Sequence, residues 1–306
     1  MKILFISDLW TPFPGGAEYY IANLAMELQN RGNQVHVLTG YHTARQPGIR
    51  ITAKSIDDAK TITDFIQEVK PDCLFTHHHF AHFYEEAIFG AGLPVFQLVH
   101  SRPRIARAAL AIFNSQYTAD RNGHKEGDMI ILPPAGQNIV APTHGDLLGM
   151  VKPLAGKGID FLYRIAYRMQ NRKFLVLRGE WQDIEDIRWL PNVEFMEPVN
   201  DMRDFYSRVR VMLMPSESED AGTIPQEAAL NGLPCVSTPV GGLPETNKGG
   251  IIIPKDEELW MAAIEKLDDV AYYREVVDRQ KAYVDSLDWH GKFDKLNGRM
   301  REIVNV

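Results

Sequence analysis

Two carboxylates, Glu219 and Glu227, stand either side of a seven-residue gap in the stretch PSESEDAGTIPQEAALNG, residues 215–232. Gly222 within the gap permits a sharp turn, and Thr223 with Gln226 makes a T-x-x-Q capping box. Pro225 is tolerated in a first helical turn, whose amides are unpaired in any case. The preceding VMLMPS reads as a buried strand, so the loop leaves a strand's carboxyl end and a helix starts near Thr223. Free amides there, with Gly222 allowing close approach, suit an anion such as a diphosphate. Glu227, one turn in, is placed to accept hydrogen bonds from ribose hydroxyls, and Glu219 to reach the hydroxyls of a sugar. The plainer alternative is that such glutamates only complement the helix dipole.

Other residues carry chemistry with less specificity. Gly15 and Gly16 precede an amphipathic segment, where paired glycines let amides approach an anionic or sugar ligand; a tight turn is the alternative. His100 closes PVFQLVH at a strand end, a position that a purely structural histidine also fills. In FNSQYTAD, Asn114 and Ser115 sit at a strand-to-helix step, and an N-cap role accounts for Ser115 equally well. The run THHHFAH supplies His77, His78, His79 and His82. Its spacing suits neither a structural zinc nor H-E-x-x-H, so no metal is expected, and His78 and His79 are taken as cleft-lining. Lys157 is either a phosphate ligand or a solvated surface charge.

These groups need a scaffold. Short apolar runs (2–7, 34–39, 72–77, 94–100, 110–115 and 129–133) alternate with helix-period segments such as Ile21, Leu24, Ala25, Leu28 and Ile62, Phe65, Ile66, Val69. The alternation restarts at DLLGMV and continues through KFLVLRG, NVEFME, VRVMLMPS, PCVST and GIIIP. Strands apolar on both faces, separated by helices, imply parallel sheets covered on both sides. The aperiodic PPAGQNIVAPTHGD, 133–146, reads as a linker. The expected architecture is α/β: two doubly wound Rossmann-like domains, 1–142 and 143–306, facing a cleft, with ligands beyond the carboxyl ends of the strands.

Bulk properties narrow the classes. The chain has 306 residues and a formal charge of −7, which argues against nucleic acid as a partner. Cys73 and Cys235 lie in apolar runs and read as buried thiols of a reducing compartment. No apolar run approaches a membrane span, and Asp8 comes too early for a signal-peptide core, so a cytoplasmic protein is expected. No G-x-G-x-x-G follows the first strand, which weighs against a nicotinamide dehydrogenase.

The run PSESEDAGTIPQEAALNGLPCVSTPVGGLPE, residues 215–245, resembles the signature of retaining glycosyltransferases of family four, with Glu219, Glu227, Gly232, Pro234, Gly241, Gly242 and Glu245 at its positions. The opening WTPFPGGAEYYIANLAMELQNRGNQVHVLT is similar to the same family's start. The resemblance implies a GT-B fold. It implies that Glu219 contacts the donor sugar, Glu227 the ribose, and the amides near Thr223 and Ile224 the distal phosphate. It implies that His100 touches the transferred sugar, that Asn114 and Ser115 lie on the acceptor side, and that Met196–Pro198 packs the base. LGMVKPLAGKGIDFL resembles the family's diphosphate loop: Lys157 and Gly158 match its Lys-Gly pair. Met150 stands where the family has an arginine, leaving Lys152 or Arg178 to supply that charge. The terminal helix, about 290–306, is implied to cross back to the first domain.

The expectation is a metal-independent, retaining, hexosyl-type glycosyltransferase with no cofactor. It would use a UDP-, GDP- or ADP-sugar donor and a carbohydrate, lipid or other acceptor, with peripheral membrane contact left open. A turnover-dead nucleotide-sugar-binding or scaffold protein is the alternative, motivated by Met150 and the short first domain.

Overall fold

A computed structural model describes residues 1–10, 16–40, 48–54, 56, 58–77, 84–101, 103–135, 141, 145–179, 189–199 and 201–305. The chain divides into two compact units, 1–134 with 288–306, and 135–287.

The first unit holds β1 (Lys2–Ser7), β2 (Gln34–Thr39), β3 (Arg50–Ala53), β4 (Cys73–His77), β5 (Val95–Val99), β6 (Leu110–Phe113) and β7 (Met129–Ile130), all parallel, in the order β3-β2-β1-β4-β5-β6-β7. Side chains alternate across a strand, so β1 feeds two cores. Ile3 and Phe5 pack with Ile21, Leu24 and Leu28 of the helix Gly16–Asn30, whereas Leu4 and Ile6 pack with Ile62, Phe65 and Ile66 of the helix Ala59–Val69. Each such buried side chain stabilises the fold by about 1.5–3 kcal/mol relative to exposure. Asp58 starts the second of these helices by accepting from the Thr61 amide at 2.6 Å.

Phe293, Leu296 and Met300 of the helix Trp289–Val304 join the same core as Ile3 and Phe5. Trp289 Nε1 donates to the Leu132 carbonyl at 3.0 Å, and Asn33 Nδ2 to Asn297 Oδ1 at 2.7 Å. The chain's last helix therefore belongs to the unit that its first strand begins.

The second unit contains β8 (Leu147–Val151), β9 (Phe174–Leu177), β10 (Val193–Met196), β11 (Val209–Met214), β12 (Cys235–Ser237) and β13 (Ile251–Ile252), again parallel, in the order β10-β9-β8-β11-β12-β13. Leu148 and Met150 of β8 face the helix Ile159–Arg168, and Leu147 faces the opposite core with Phe205, Tyr206 and Met212. Met150 is 1% exposed. Its side chain thus points into the apolar layer, and position 150 has no path to a diphosphate. Where the resemblance places an arginine, this chain therefore has a core residue.

Candidate functional site

In a doubly wound sheet, the crevice where strand order reverses is where ligands bind, beyond the carboxyl ends. In the second sheet that point lies between β8 and β11, because the chain proceeds from β8 to β9 and β10 on one side and from β11 to β12 and β13 on the other. The two loops leaving β8 and β11 hold the residues singled out from sequence.

These loops touch closely. The Glu217 amide donates to the Gly156 carbonyl at 2.9 Å. Gly158 has φ +85°, and a Cβ there would stand 2.0 Å from the Pro215 carbonyl oxygen. This glycine is required by both its conformation and the close approach. Lys157, just before it, places Nζ 2.5 Å from Glu219 Oε1, which also accepts from Ser216 Oγ at 3.3 Å. Gly241 supports Glu219 from behind: at φ +57° a Cβ would lie 1.6 Å from the Glu219 carbonyl oxygen, which accepts from the Gly242 amide at 3.0 Å. Glu219 is therefore fixed at both its backbone and its side chain.

Gly222 also has φ +76°, and the helix Ile224–Leu230 follows with Pro225 in its first turn. The start comes where the sequence predicts, but the capping box does not form. Thr223 makes no cap; its Oγ1 donates to Glu227 Oε1 at 2.8 Å, and the Gln226 amide group is buried without a hydrogen bond. The carboxylate one turn in takes the hydroxyl that would otherwise have capped the helix. The Thr223 and Ile224 amides have no intrahelical acceptor.

Tyr206 OH donates to Glu227 Oε2 at 2.5 Å. Burial raises the Glu227 carboxyl above its ordinary range, while the Tyr206 and Thr223 hydroxyls and the Lys152 charge pull it back down. Burial, with the adjacent Glu227 carboxylate, also raises the Tyr206 hydroxyl well above its usual value. Lys152 follows β8 with φ +58°, a left-handed conformation that costs a residue with a Cβ about 1–2 kcal/mol. Strain of this kind concentrates at functional sites.

Arg178 follows β9 and pairs with Glu197 at 2.5 Å, so its charge is partly neutralised; its amide donates to the Met196 carbonyl at 2.9 Å. Met196 is half-buried and Pro198 exposed at the end of β10.

In the first sheet the reversal lies between β1 and β4. Ser7 Oγ at the end of β1 lies 2.7 Å from His77 Nε2 at the end of β4, and Ser7 also donates to the Leu9 carbonyl. His77 is therefore the donor, with its proton on Nε2. The His77 and His100 rings meet edge-on at 5.9 Å, as do Tyr20 and His100. Asn114 Nδ2 lies 3.3 Å from His100 Nδ1. Ser115 is fully buried and caps the helix Gln116–Arg121, accepting from the Thr118 amide at 3.0 Å. The structure thus gives Ser115 its capping role and brings Asn114 to His100.

Gly16 begins the helix Gly16–Asn30, and among the described residues nothing stands within 4 Å of where a Cβ would lie. Glu18, in that first turn, is only 9% exposed. An acidic residue in a first turn complements the positive helix end. Gly15, His78, His79 and His82 lie outside the described residues.

Sequence reasoning missed Ser7, Tyr20, Tyr206 and Ser216. Ser7 carried a usable signal, being the last residue of an apolar strand. Tyr206 carried none, because nothing in the sequence ties it to a carboxylate on another helix. Among the described residues no group of three or more His, Cys, Asp or Glu could hold a metal ion, and no helix is long and apolar enough to cross a membrane.

Comparison with known proteins adds to this geometry. Residues 146–269 match the family model described as glycosyl transferases group 1, and residues 14–133 match that of glycosyltransferase family 4. No curated protein sequence matches the chain. Among solved structures, sucrose-phosphate synthase from Thermosynechococcus elongatus superposes with a TM-score of 0.83 at 16% identity, covering 99% of both chains. HepE from Anabaena, in complex with UDP-glucose, gives 0.80 at 15% identity over 99% of both chains. A glycosyltransferase from Rickettsia africae gives 0.79 at 12% identity, covering 99% of this chain and 98% of that one. The fold shared with these structures is GT-B.

Proposed function

We propose, from the premise that this chain is a glycosyltransferase family 4-like protein, that it transfers a glycosyl group from a nucleoside-diphosphate sugar, with UDP as the nucleotide, to a hydroxyl acceptor. The observation that carries the reading is the Lys157–Glu219 pair at the switch point of the second sheet, with Glu227 one helical turn beyond.

Each group has a role. Glu227 accepts hydrogen bonds from the ribose diol, and the Thr223 and Ile224 amides hold the distal phosphate. Lys157 has three donors. One stays on Glu219 while the others meet the diphosphate, whose developing charge must be neutralised as the glycosidic bond breaks. Lys152 adds a second cation on the same side, so no arginine is needed at position 150. Glu219, held by Lys157, Ser216 and the Gly241–Gly242 turn, faces the donor sugar. Met196 and Pro198, with Arg178, form the base-side wall.

In the first unit, His100 with Asn114 is assigned to the transferred sugar, and Gly15, Gly16, His78 and His79 to the sugar and acceptor side. The resemblance to family-four enzymes supports a retaining course in which the leaving phosphate takes the acceptor's proton. The lysines and helix amides supply the charge a divalent ion would otherwise bring, which supports metal independence. UDP is favoured because HepE, a structure of the same fold, was solved with UDP-glucose.

The test is a thermal-shift panel of UDP, GDP, ADP and their sugars, followed by donor turnover. A ligand that binds the folded state raises the melting point by mass action. The reading predicts a rise with UDP and a UDP-sugar and consumption of that sugar nucleotide, in chelator as well as without it; a rise with GDP or ADP alone removes the UDP assignment. A flat panel contradicts it, and binding without turnover favours the scaffold alternative.

A further inference from the structure

Glu227 is held by two hydroxyls from different elements, and only one is local. Thr223 lies on the same turn, but Tyr206 comes from the helix Met202–Tyr206, and its ring is buried among Phe205, Leu175, Met212 and Cys235. Each hydroxyl takes one carboxylate oxygen, at 2.5 Å from Tyr206 and 2.8 Å from Thr223. An ionised carboxylate has about four acceptor sites. Two therefore remain for a diol, and their direction is set by the two that are used.

We propose that Tyr206 is a positioning residue for nucleotide binding, whose hydroxyl fixes the Glu227 carboxylate in the orientation that a ribose diol meets. This rests on the donor-site reading above. A tyrosine is suited to the task because its ring is anchored in the core and only its hydroxyl reaches the carboxylate. Phenylalanine would fill the same volume and give no such bond.

The same contact governs charge. The groups facing Glu227 are Tyr206, Thr223 and Lys152; Cys235 lies behind Tyr206. Burial raises the Glu227 carboxyl, and the two hydroxyls and Lys152 lower it. The sign follows directly. Losing the Tyr206 bond removes part of what opposes burial, so the Glu227 carboxyl rises further, takes up its proton at higher pH and can no longer accept fully from the diol. Nucleotide affinity then falls off on the acid side at a higher pH than in the wild type.

The experiment is calorimetric titration of the tightest of UDP, GDP and ADP from pH 5.5 to 8.5, into wild type, Tyr206→Phe and Thr223→Val. The ligand's own phosphate titration is common to all three and cancels in the comparison. Tyr206→Phe is expected to move the acid limb upward by about one pH unit, giving about tenfold weaker binding below the limb and a smaller difference at pH 8.5. Thr223→Val is expected to move it in the same direction. A Tyr206→Phe profile parallel to wild type, with only the melting temperature lowered, would overturn the role, and so would a limb moved downward, because loosened packing admits water to Glu227 and eases the burial that raises it. Should Tyr206→Phe fail to fold, Tyr206→Leu, which also removes the hydroxyl and keeps an apolar side chain in the core, decides on the same readout. Folded wild type that binds none of the three overturns the donor-site reading itself, an outcome distinct from a parallel profile.

Discussion

Lys157 Nζ lies 2.5 Å from Glu219 Oε1, joining the loop that leaves β8 to the loop that leaves β11 at the one place where the second sheet reverses its strand order. The pair is half sheltered: Lys157 keeps 31% of its side chain exposed and Glu219 10%. A cation so held is already in place for a second anion.

Lys157→Ala should therefore raise the barrier to transfer by about 2 kcal/mol or more, as loss of one preorganised donor does. It also strips Glu219 of its cationic partner, leaving Ser216 as its side-chain donor among the described residues. A modest fall in melting temperature is expected alongside the loss of kcat/KM, measured on the same preparation. Full activity would move the diphosphate site elsewhere.

Glu219→Gln should separate sugar from nucleotide. Turnover of the nucleotide sugar is expected to drop, while affinity for the bare nucleoside diphosphate stays nearly intact by calorimetry. Equal loss of both would remove Glu219 from the sugar.

Met150→Arg is expected to unfold the second unit rather than repair its chemistry. A guanidinium placed among Leu148, Ile159, Leu162 and Phe174 has no counter-charge, and the cost is on the order of 3 kcal/mol or more. Lys152→Ala should leave stability nearly unchanged and weaken donor binding. Chemical denaturation and donor titration of the two variants side by side check both statements.

Gly158→Ala probes the junction of the two loops. Backbone strain at φ +85° alone costs about 1–3 kcal/mol, and the Pro215 carbonyl oxygen must also move from a 2.0 Å clash. Because the displaced loop carries Ser216 and Glu219, activity should fall further than stability. A variant with wild-type kcat and a lowered melting point would show that the loop contact is not needed for catalysis.

Much of this was legible in the sequence because parallel sheets write themselves as apolar runs. Twelve of the thirteen strands among the described residues coincide with runs such as KILFIS and VRVMLMPS. The missed strand, Arg50–Ala53, is an edge strand with both end residues exposed, so it lacks the two-sided apolar signal. The helix Val270–Asp285 was missed because its buried stripe is Val276, Gln280 and Val284, interrupted by a polar side chain. At the site, local features were readable: the turn at Gly222, the helix start at Thr223, and the Lys157–Gly158 pair. What sequence spacing could not reveal was direction. It gave no sign that Met150 turns inward, that Thr223 serves Glu227 instead of the helix end, or that Tyr206 meets the same carboxylate.

The central claim is that Glu227 receives the nucleotide at the switch point of the second sheet. Calorimetry of UDP, GDP and ADP with wild type and Glu227→Ala tests it most directly. Loss of a charge-assisted hydrogen bond is worth about 1.5–3 kcal/mol, so the preferred nucleotide should bind about tenfold to a hundredfold more weakly to Glu227→Ala, and Asn114→Ala in the first unit should bind the bare nucleotide as wild type does. Unchanged affinity in folded Glu227→Ala would contradict the account.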